Sequence, residues 1–143
     1  MIRVKDIEKS LKFYQDTMGM TLITTKEFKE AAFNLYFLAY TAETGDIPQA
    51  MREGVLELTY NYGTEKDENF KYHNGNVEPQ GFGHICVSVD NVEAACKRFD
   101  DLNVKWQKRL TDGKMRGIAF MRDPDDYWVE VIQHDMFKEK SEL

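Results

Sequence analysis

Three side chains set far apart in the sequence carry the chemistry of a reactive centre. Glu57 stands in VLELTYNY, where period-two alternation puts it on one face with Thr59 and Asn61, leaving Leu56, Leu58, Tyr60 and Tyr62 on the other. Glu130 stands in YWVEVIQ, between Val129 and Val131, and shares its face with Trp128 and Ile132. His84 follows the glycine-bracketed QGFG, which lets the backbone turn tightly and another group approach closely. Two carboxylates and an imidazole can move a proton or hold a divalent cation. The plainer reading turns each Glu toward water on a one-sided sheet. The separations among the three match no short metal motif, so residue types alone leave these readings open.

The elements that position these residues are written twice. Asp6 is an N-cap residue, with Glu8 in the first turn; Ile7, Leu11, Tyr14 and Met18 form an apolar stripe and Gly19 lies just past its end. Asn91 opens the same pattern again, followed by Val92, Cys96, Phe99 and Leu102, with Glu93 in the first turn. A strand precedes each helix, MIRV in one case and HICVSV in the other. Three strand candidates follow each helix: MTLITT, FNLYFLAY and VLELTYNY, then WQKRL, GIAFMR and YWVEVIQ. The expected architecture is therefore α+β, two βαβββ modules over residues 1–63 and 82–134, joined by a loop at 64–81 and ending in a surface tail at 135–143. The loop is too long for an idle connection, and reads either as an exposed linker or as a segment folding over a ligand. A second polar stretch, TAETGDIPQAMRE, interrupts only the first module. A Glu in the middle of each module's last strand makes the water-facing reading weaker than it is for one such Glu.

Aligning Asn91 with Asp6 sets Cys86 opposite Met1, so the first module's counterpart of His84 falls two residues before Met1. The sequence reading therefore expects a chain that begins short of one functional position.

Length and composition restrict the partners. The 143 residues suit one domain, or two modules of about 70 residues sharing a core, since units that small seldom bury enough apolar surface alone. With 25 acidic against 19 basic side chains, the net charge of −6 argues against nucleic acid or an anionic membrane. Neither a membrane-spanning run nor a signal peptide is expected. Cys86 and Cys96 form no Cys-x-x-Cys motif, which suits a reduced cytoplasmic protein with both thiols as core filler.

The phrases MIRVKD, SLKFYQDTMGMTL, FNLYFLAY, LELTYNYGTE, YHNGN, GFGHI, ACKRF, DGKMRGIAFMRDP and YWVEV, in this order, resemble the glyoxalase I family of the vicinal-oxygen-chelate superfamily. The resemblance implies paired βαβββ modules curving into a concave mixed sheet around one divalent metal, zinc ahead of nickel. It also implies a site built from modules of two subunits, a homodimer, or of two tandem domains. By position, Glu57, His84 and Glu130 match metal ligands, with Glu130 also the catalytic base. The family's remaining ligand, a Gln or His, stands two residues before Met1. Arg3, Asn61, Lys114 and Met115 match glutathione contacts, and Lys108 offers a further cation. The implied reaction is that of a lactoylglutathione lyase, in which the hemithioacetal of methylglyoxal and glutathione is isomerised by metal-assisted proton transfer through an enediolate. The alternative is a non-catalytic glutathione-conjugate-binding or dimerisation module of the same fold.

Two departures bear on the transfer. Gln80 stands where the family usually has Arg, and one lost charge-assisted bond to a glutathione carboxylate costs about 1–3 kcal/mol. Asp126 replaces a usual Gly, which is tolerable if that residue enters the left-handed region.

Overall fold

The computed structural model describes residues 1–42 and 47–137, so part of TAETGDIPQAMRE and most of the 135–143 tail lie outside the described residues. The chain forms two compact units, Met1–His73 and Asn74–Leu143. The first contains β1 (Ile2–Val4), α1 (Ile7–Lys12) running on into a π-helical turn (Phe13–Thr17), β2 (Thr21–Phe28), β3 (Phe33–Ala39) and β4 (Leu56–Asn61). The second contains β5 (His84–Val89), α2 (Val92–Asp101), β6 (Lys105–Lys108), β7 (Ala119–Arg122) and β8 (Trp128–Gln133).

Each unit is one four-stranded mixed sheet, in the orders β1-β4-β3-β2 and β5-β8-β7-β6. The first strand of each runs parallel to the last, and the other pairs are antiparallel. A parallel pair needs a crossover connection, and the capped helix begins it on its way to β2 and β3 in the first unit and to β6 and β7 in the second. The register repeats as well: Phe37 is the Cα partner of Glu57 on β4, and Phe120 that of Glu130 on β8. The second strand of each sheet slips by one residue at matching places, between Leu22 and Thr24 and between Trp106 and Lys108. Such bulges re-aim side chains and bend a strand, and both copies retain one.

The caps form as their residue types require. Asp6 accepts from the Glu8 and Lys9 amides, and Asn91 from that of Ala94. Behind each sheet the apolar stripe of the helix is buried with the inward residues of the strands: Val4, Tyr14 and Leu58 in the first unit, Phe99, Val129 and Val131 in the second. Fully burying a Val such as Val129 or Val131 is worth roughly 1.5–3 kcal/mol.

Two boundaries differ from the pattern. β2 continues through Lys26, Glu27 and Phe28 because β3 supplies partners at Leu35, Asn34 and Phe33, where the polar composition alone marks a turn. β6 stops at Lys108, short of Leu110, because the Lys108 ammonium turns back onto the carbonyls of Arg109, Met115 and Ile118 and gathers the following loop. Among the described residues no helix is long and apolar enough to cross a membrane.

Candidate active site

In the second unit the parallel register sets His84 beside Trp128 and Cys86 beside Glu130. Alternation sends Val129 and Val131 into the core and leaves Glu130 half-buried on the opposite face. The His84 Nε2 atom lies 3.2 Å from Glu130 Oε2. The imidazole is 41% exposed and the carboxylate 16%, so the pair lies at the sheet surface with its carboxylate end enclosed. Phe120 braces the imidazole edge-to-face at 5.2 Å, and Trp128 packs against Phe120 at 5.7 Å. The Cys86 thiol hydrogen-bonds to Glu130; burial first, then that bond and the carboxylate's charge, push the thiol up to about 11. It therefore stays protonated near neutrality and donates to the carboxylate.

Donors that share one ion at ligand distances of about 2.0–2.2 Å stand ~2.8–3.1 Å apart in octahedral and ~3.3–3.6 Å apart in tetrahedral coordination, and the His84–Glu130 separation of 3.2 Å lies between the two. Imidazole with carboxylate oxygen suits zinc or nickel better than calcium. Among the described residues no group of three or more His, Cys, Asp and Glu side chains converges on a cation position.

In the first unit Glu57 is half-buried on β4, and its carboxylate has no hydrogen bond or ion pair among the described residues. Two residues on, the Thr59 hydroxyl is buried without a hydrogen-bond partner among the described residues. An orphaned hydroxyl of this kind costs about 1–3 kcal/mol and calls for a ligand or water to complete it. Arg3 donates to Asn61 Oδ1 at 2.9 Å, so two of the expected glutathione contacts are joined across β1 and β4.

The remaining expected contacts lie around the loop 109–118. Lys108 donates to Met115 O at 2.8 Å, Ile118 O at 2.7 Å and Arg109 O at 3.2 Å, which uses all three of its N–H bonds. Its charge remains, but its hydrogen bonds hold the loop that carries Lys114 and Met115. Both of those side chains are exposed. Gln80 is also exposed, in the stretch leading to β5.

The sequence reading did not single out Phe28 and Phe33, which stack at 4.8 Å at the tip of the β2–β3 hairpin. Residues 27–31 line a cavity of about 480 Å³ there. Phe28 is 41% exposed, an apolar surface that alternation could not flag because the strand's extension was itself hidden.

The profile of the Glyoxalase/Bleomycin resistance protein/Dioxygenase superfamily matches residues 1–131. The chain is 56% identical to a lactoylglutathione lyase of Pseudomonas putida, over 93% of this chain and 82% of that protein. It is 50% identical to the lactoylglutathione lyase of Schizosaccharomyces pombe over its whole length, and there it spans 49% of the relative. Among solved structures, a trypanothione-dependent glyoxalase I from Leishmania major superposes with a TM-score of 0.71 at 30% identity, over 93% of this chain and 83% of that one. Glyoxalase I from Zea mays gives 0.69 at 29% identity, with this chain spanning 42% of it. Fold, register and relatives agree that this chain belongs to the glyoxalase/bleomycin resistance/dioxygenase superfamily and, within it, to the lactoylglutathione lyase family.

Proposed function

We propose that the chain isomerises the hemithioacetal of methylglyoxal and glutathione to S-D-lactoylglutathione. The observation that carries this reading is the 3.2 Å approach of His84 to Glu130 on a sheet surface walled by Phe120 and Trp128. Glu57, His84 and Glu130 would hold one divalent cation, zinc ahead of nickel. When bound, that cation would polarise neighbouring oxygens of the substrate and stabilise the negative charge that develops there.

Glu130 does the proton work. Its carboxylate takes the proton from the carbon that carries the hemithioacetal hydroxyl and returns it to the adjacent carbon, while the hydroxyl hydrogen passes to the neighbouring oxygen, so the reaction is a net isomerisation without an oxidant. The Cys86 thiol, protonated at neutral pH, donates a hydrogen bond to the carboxylate from the neighbouring strand. Phe120 and Trp128 limit water around the migrating proton.

Arg3 and Lys114 supply charge for the two glutathione carboxylates, with Asn61 and the orphaned Thr59 hydroxyl as hydrogen-bonding groups. Lys108 and Met115 shape the loop that carries Lys114. The exposed Phe28–Phe33 stack offers apolar surface for the methyl end of the substrate. The assembly is a homodimer, or this unit paired with a tandem second domain, working in the cytoplasm, where Cys86 and Cys96 remain free thiols.

Formation of the thioester at 240 nm from methylglyoxal and glutathione, with zinc or nickel added, tests the reading; no turnover with either metal overturns it. The alternative, a non-catalytic glutathione-conjugate-binding module, has one observation in its favour: no three candidate ligands converge among the described residues. Tight binding of an S-alkylglutathione without turnover would select that alternative.

A further inference from the structure

The His84–Glu130 pair joins the first residue of β5 to the middle of β8, and among the described residues β5 is an edge strand paired only with β8. His84 is the first residue of β5, so β-pairing alone holds its backbone from one side. The loop before it supplies the rest. Asn76 Nδ2 donates to Gly83 O at 2.8 Å, and Asn76 N is itself held by Asn74 Oδ1 at 2.9 Å. The Gly83 carbonyl and the His84 N–H share one planar peptide unit, so fixing that oxygen fixes the orientation in which His84 leaves the backbone.

Asn74 makes the second link. Its Nδ2 donates to Asp126 O at 2.9 Å, in the turn that leads into β8 and Glu130. That turn is rigid in its own right, since Asp123 Oδ1 accepts from the amides of Asp125 and Tyr127, each at 2.9 Å. Gly75 lies between the two asparagines at φ +80, and a Cβ there would stand 2.0 Å from Phe82 O. The Gly75 carbonyl accepts from Gly81 N at 3.1 Å and closes the loop on itself. The segment Asn74–Gly75–Asn76 is thus a buckle fastening the starts of β5 and β8 together, outside the sheet's own hydrogen bonds.

We propose that Asn74 and Asn76 are positioning residues for the His84–Glu130 pair. Asn76 sets His84 through the Gly83 carbonyl, and Asn74 sets the approach to Glu130 through the Asp126 carbonyl. The proposal rests on the reading of His84 and Glu130 as metal ligands, and it makes two carboxamides outside that ligand set determinants of metal affinity. Loss of a group that orients a ligand typically weakens metal binding about 10- to 100-fold.

Asn76→Asp keeps the shape but sets a carboxylate against the Gly83 carbonyl, and Asn74→Asp does the same at Asp126; Val77→Ala, at an exposed loop position, is the control. Three quantities are read. The first is the pair of His84 imidazole nitrogen resonances in the metal-free protein, which moves in both Asp variants and stays in place in Val77→Ala. The second is zinc affinity by dye competition, which falls about 10- to 100-fold in each Asp variant. The third is kcat and KM at saturating zinc, where activity largely returns with KM unchanged.

Unmoved His84 resonances and unchanged zinc affinity in folded Asn76→Asp and Asn74→Asp overturn the proposal, even if their melting temperatures fall, because a purely structural role moves only the latter. If one variant fails to fold, the other, acting through a separate link, decides alone. Wild-type protein that binds no zinc defeats the metal reading; the His84 resonances then still report whether the buckle sets the imidazole.

Discussion

The two units repeat one topology, and the helical segment of the first is written with one residue more than that of the second. From the caps onward, Ile7, Leu11 and Tyr14 correspond to Val92, Cys96 and Phe99, but the next apolar residue comes four positions later at Met18 and three later at Leu102. The first unit absorbs the extra residue as a π-helical turn, with Met18 N donating to Phe13 O at 3.0 Å. Both helices then close on a left-handed residue, Gly19 at φ +77 and Asn103 at φ +55. The closing bond runs from Val104 N to Phe99 O in α2, and from Met20 N to Tyr14 O, one residue wider, in the first unit. A single-residue insertion has thus been confined to one turn, leaving strand register and core unchanged. The site chemistry does not repeat in this way: Glu57 has no protein partner among the described residues, while Glu130 is met by an imidazole and a thiol.

That difference predicts unequal consequences for equal substitutions. Glu130→Gln removes the group that moves the proton and should lower kcat about 10²- to 10⁴-fold. Glu57→Gln should lower zinc affinity while retaining measurable kcat at saturating zinc. Thioester formation at 240 nm across a zinc titration separates the two, and equal kcat losses at saturating metal would remove the distinction between a ligand and a base.

The inserted residue gives the next test. Deleting Asp16 converts the π turn into the regular helix that α2 already is, and should cost about 1–2 kcal/mol with cooperative unfolding retained. Deleting Arg98 from α2 has no bulge to consume and rotates Phe99 out of the core, so loss of a cooperative thermal transition is expected. Circular dichroism melts of the two deletions check this.

Much of this was legible from residue types because the caps and the alternation are local signals. Asp6, Asn91 and the buried faces of β4 and β8 follow from one-dimensional patterns that survive folding. The π turn was written in the spacing from Tyr14 to Met18, yet a four-residue step is equally compatible with an unbroken helix. The occupied ammonium of Lys108 could not be read, because its acceptors are backbone carbonyls and carbonyls have no signature in sequence. The Asn76-to-Gly83 link was hidden for the same reason. The approach of His84 to Glu130 depends on a parallel register across 46 positions, which the repeat suggests but does not dictate.

The caps differ in charge, and that predicts a difference in acid. Replacing Asp6 or Asn91 by Ala should cost about 1 kcal/mol each at pH 7. Burial raises the Asp6 carboxyl, but hydrogen bonds from the Lys9 side chain and amide, the Lys9 charge and the Glu8 amide outweigh it and hold it below the usual carboxylate range. A carboxyl depressed in the folded state contributes stability that is fully present above its unfolded pKa, about 3.9, and is lost as pH falls through the folded value. Asp6→Asn should therefore flatten the loss of stability below about pH 4, and Asn91→Asp should steepen it. Urea midpoints between pH 3 and 7 measure both, and parallel pH profiles for the two variants would show that the cap's charge is irrelevant.

The smallest expected effect lies at Asp126, which adopts φ +65 where glycine would be unstrained. A left-handed non-glycine residue costs roughly 1–2 kcal/mol, and Asp is at the low end because its short side chain bonds locally. Offsetting this, its carboxylate lies 2.5 Å from Lys105 Nζ and 3.7 Å from an Arg122 nitrogen, and Arg122 is further held by the bulged Gln107. These pairs are substantially exposed, so together they contribute on the order of 0–1 kcal/mol. Asp126→Gly should then leave stability within about 0.5 kcal/mol of wild type at low salt, relief of strain cancelling loss of the pairs. Salt breaks the tie: at 1 M ionic strength, with a screening length of about 3 Å, the pairs fade while the backbone term persists, and the glycine variant should become the more stable protein. A variant that instead loses stability as salt rises would mean that Asp126 holds its turn through something other than charge.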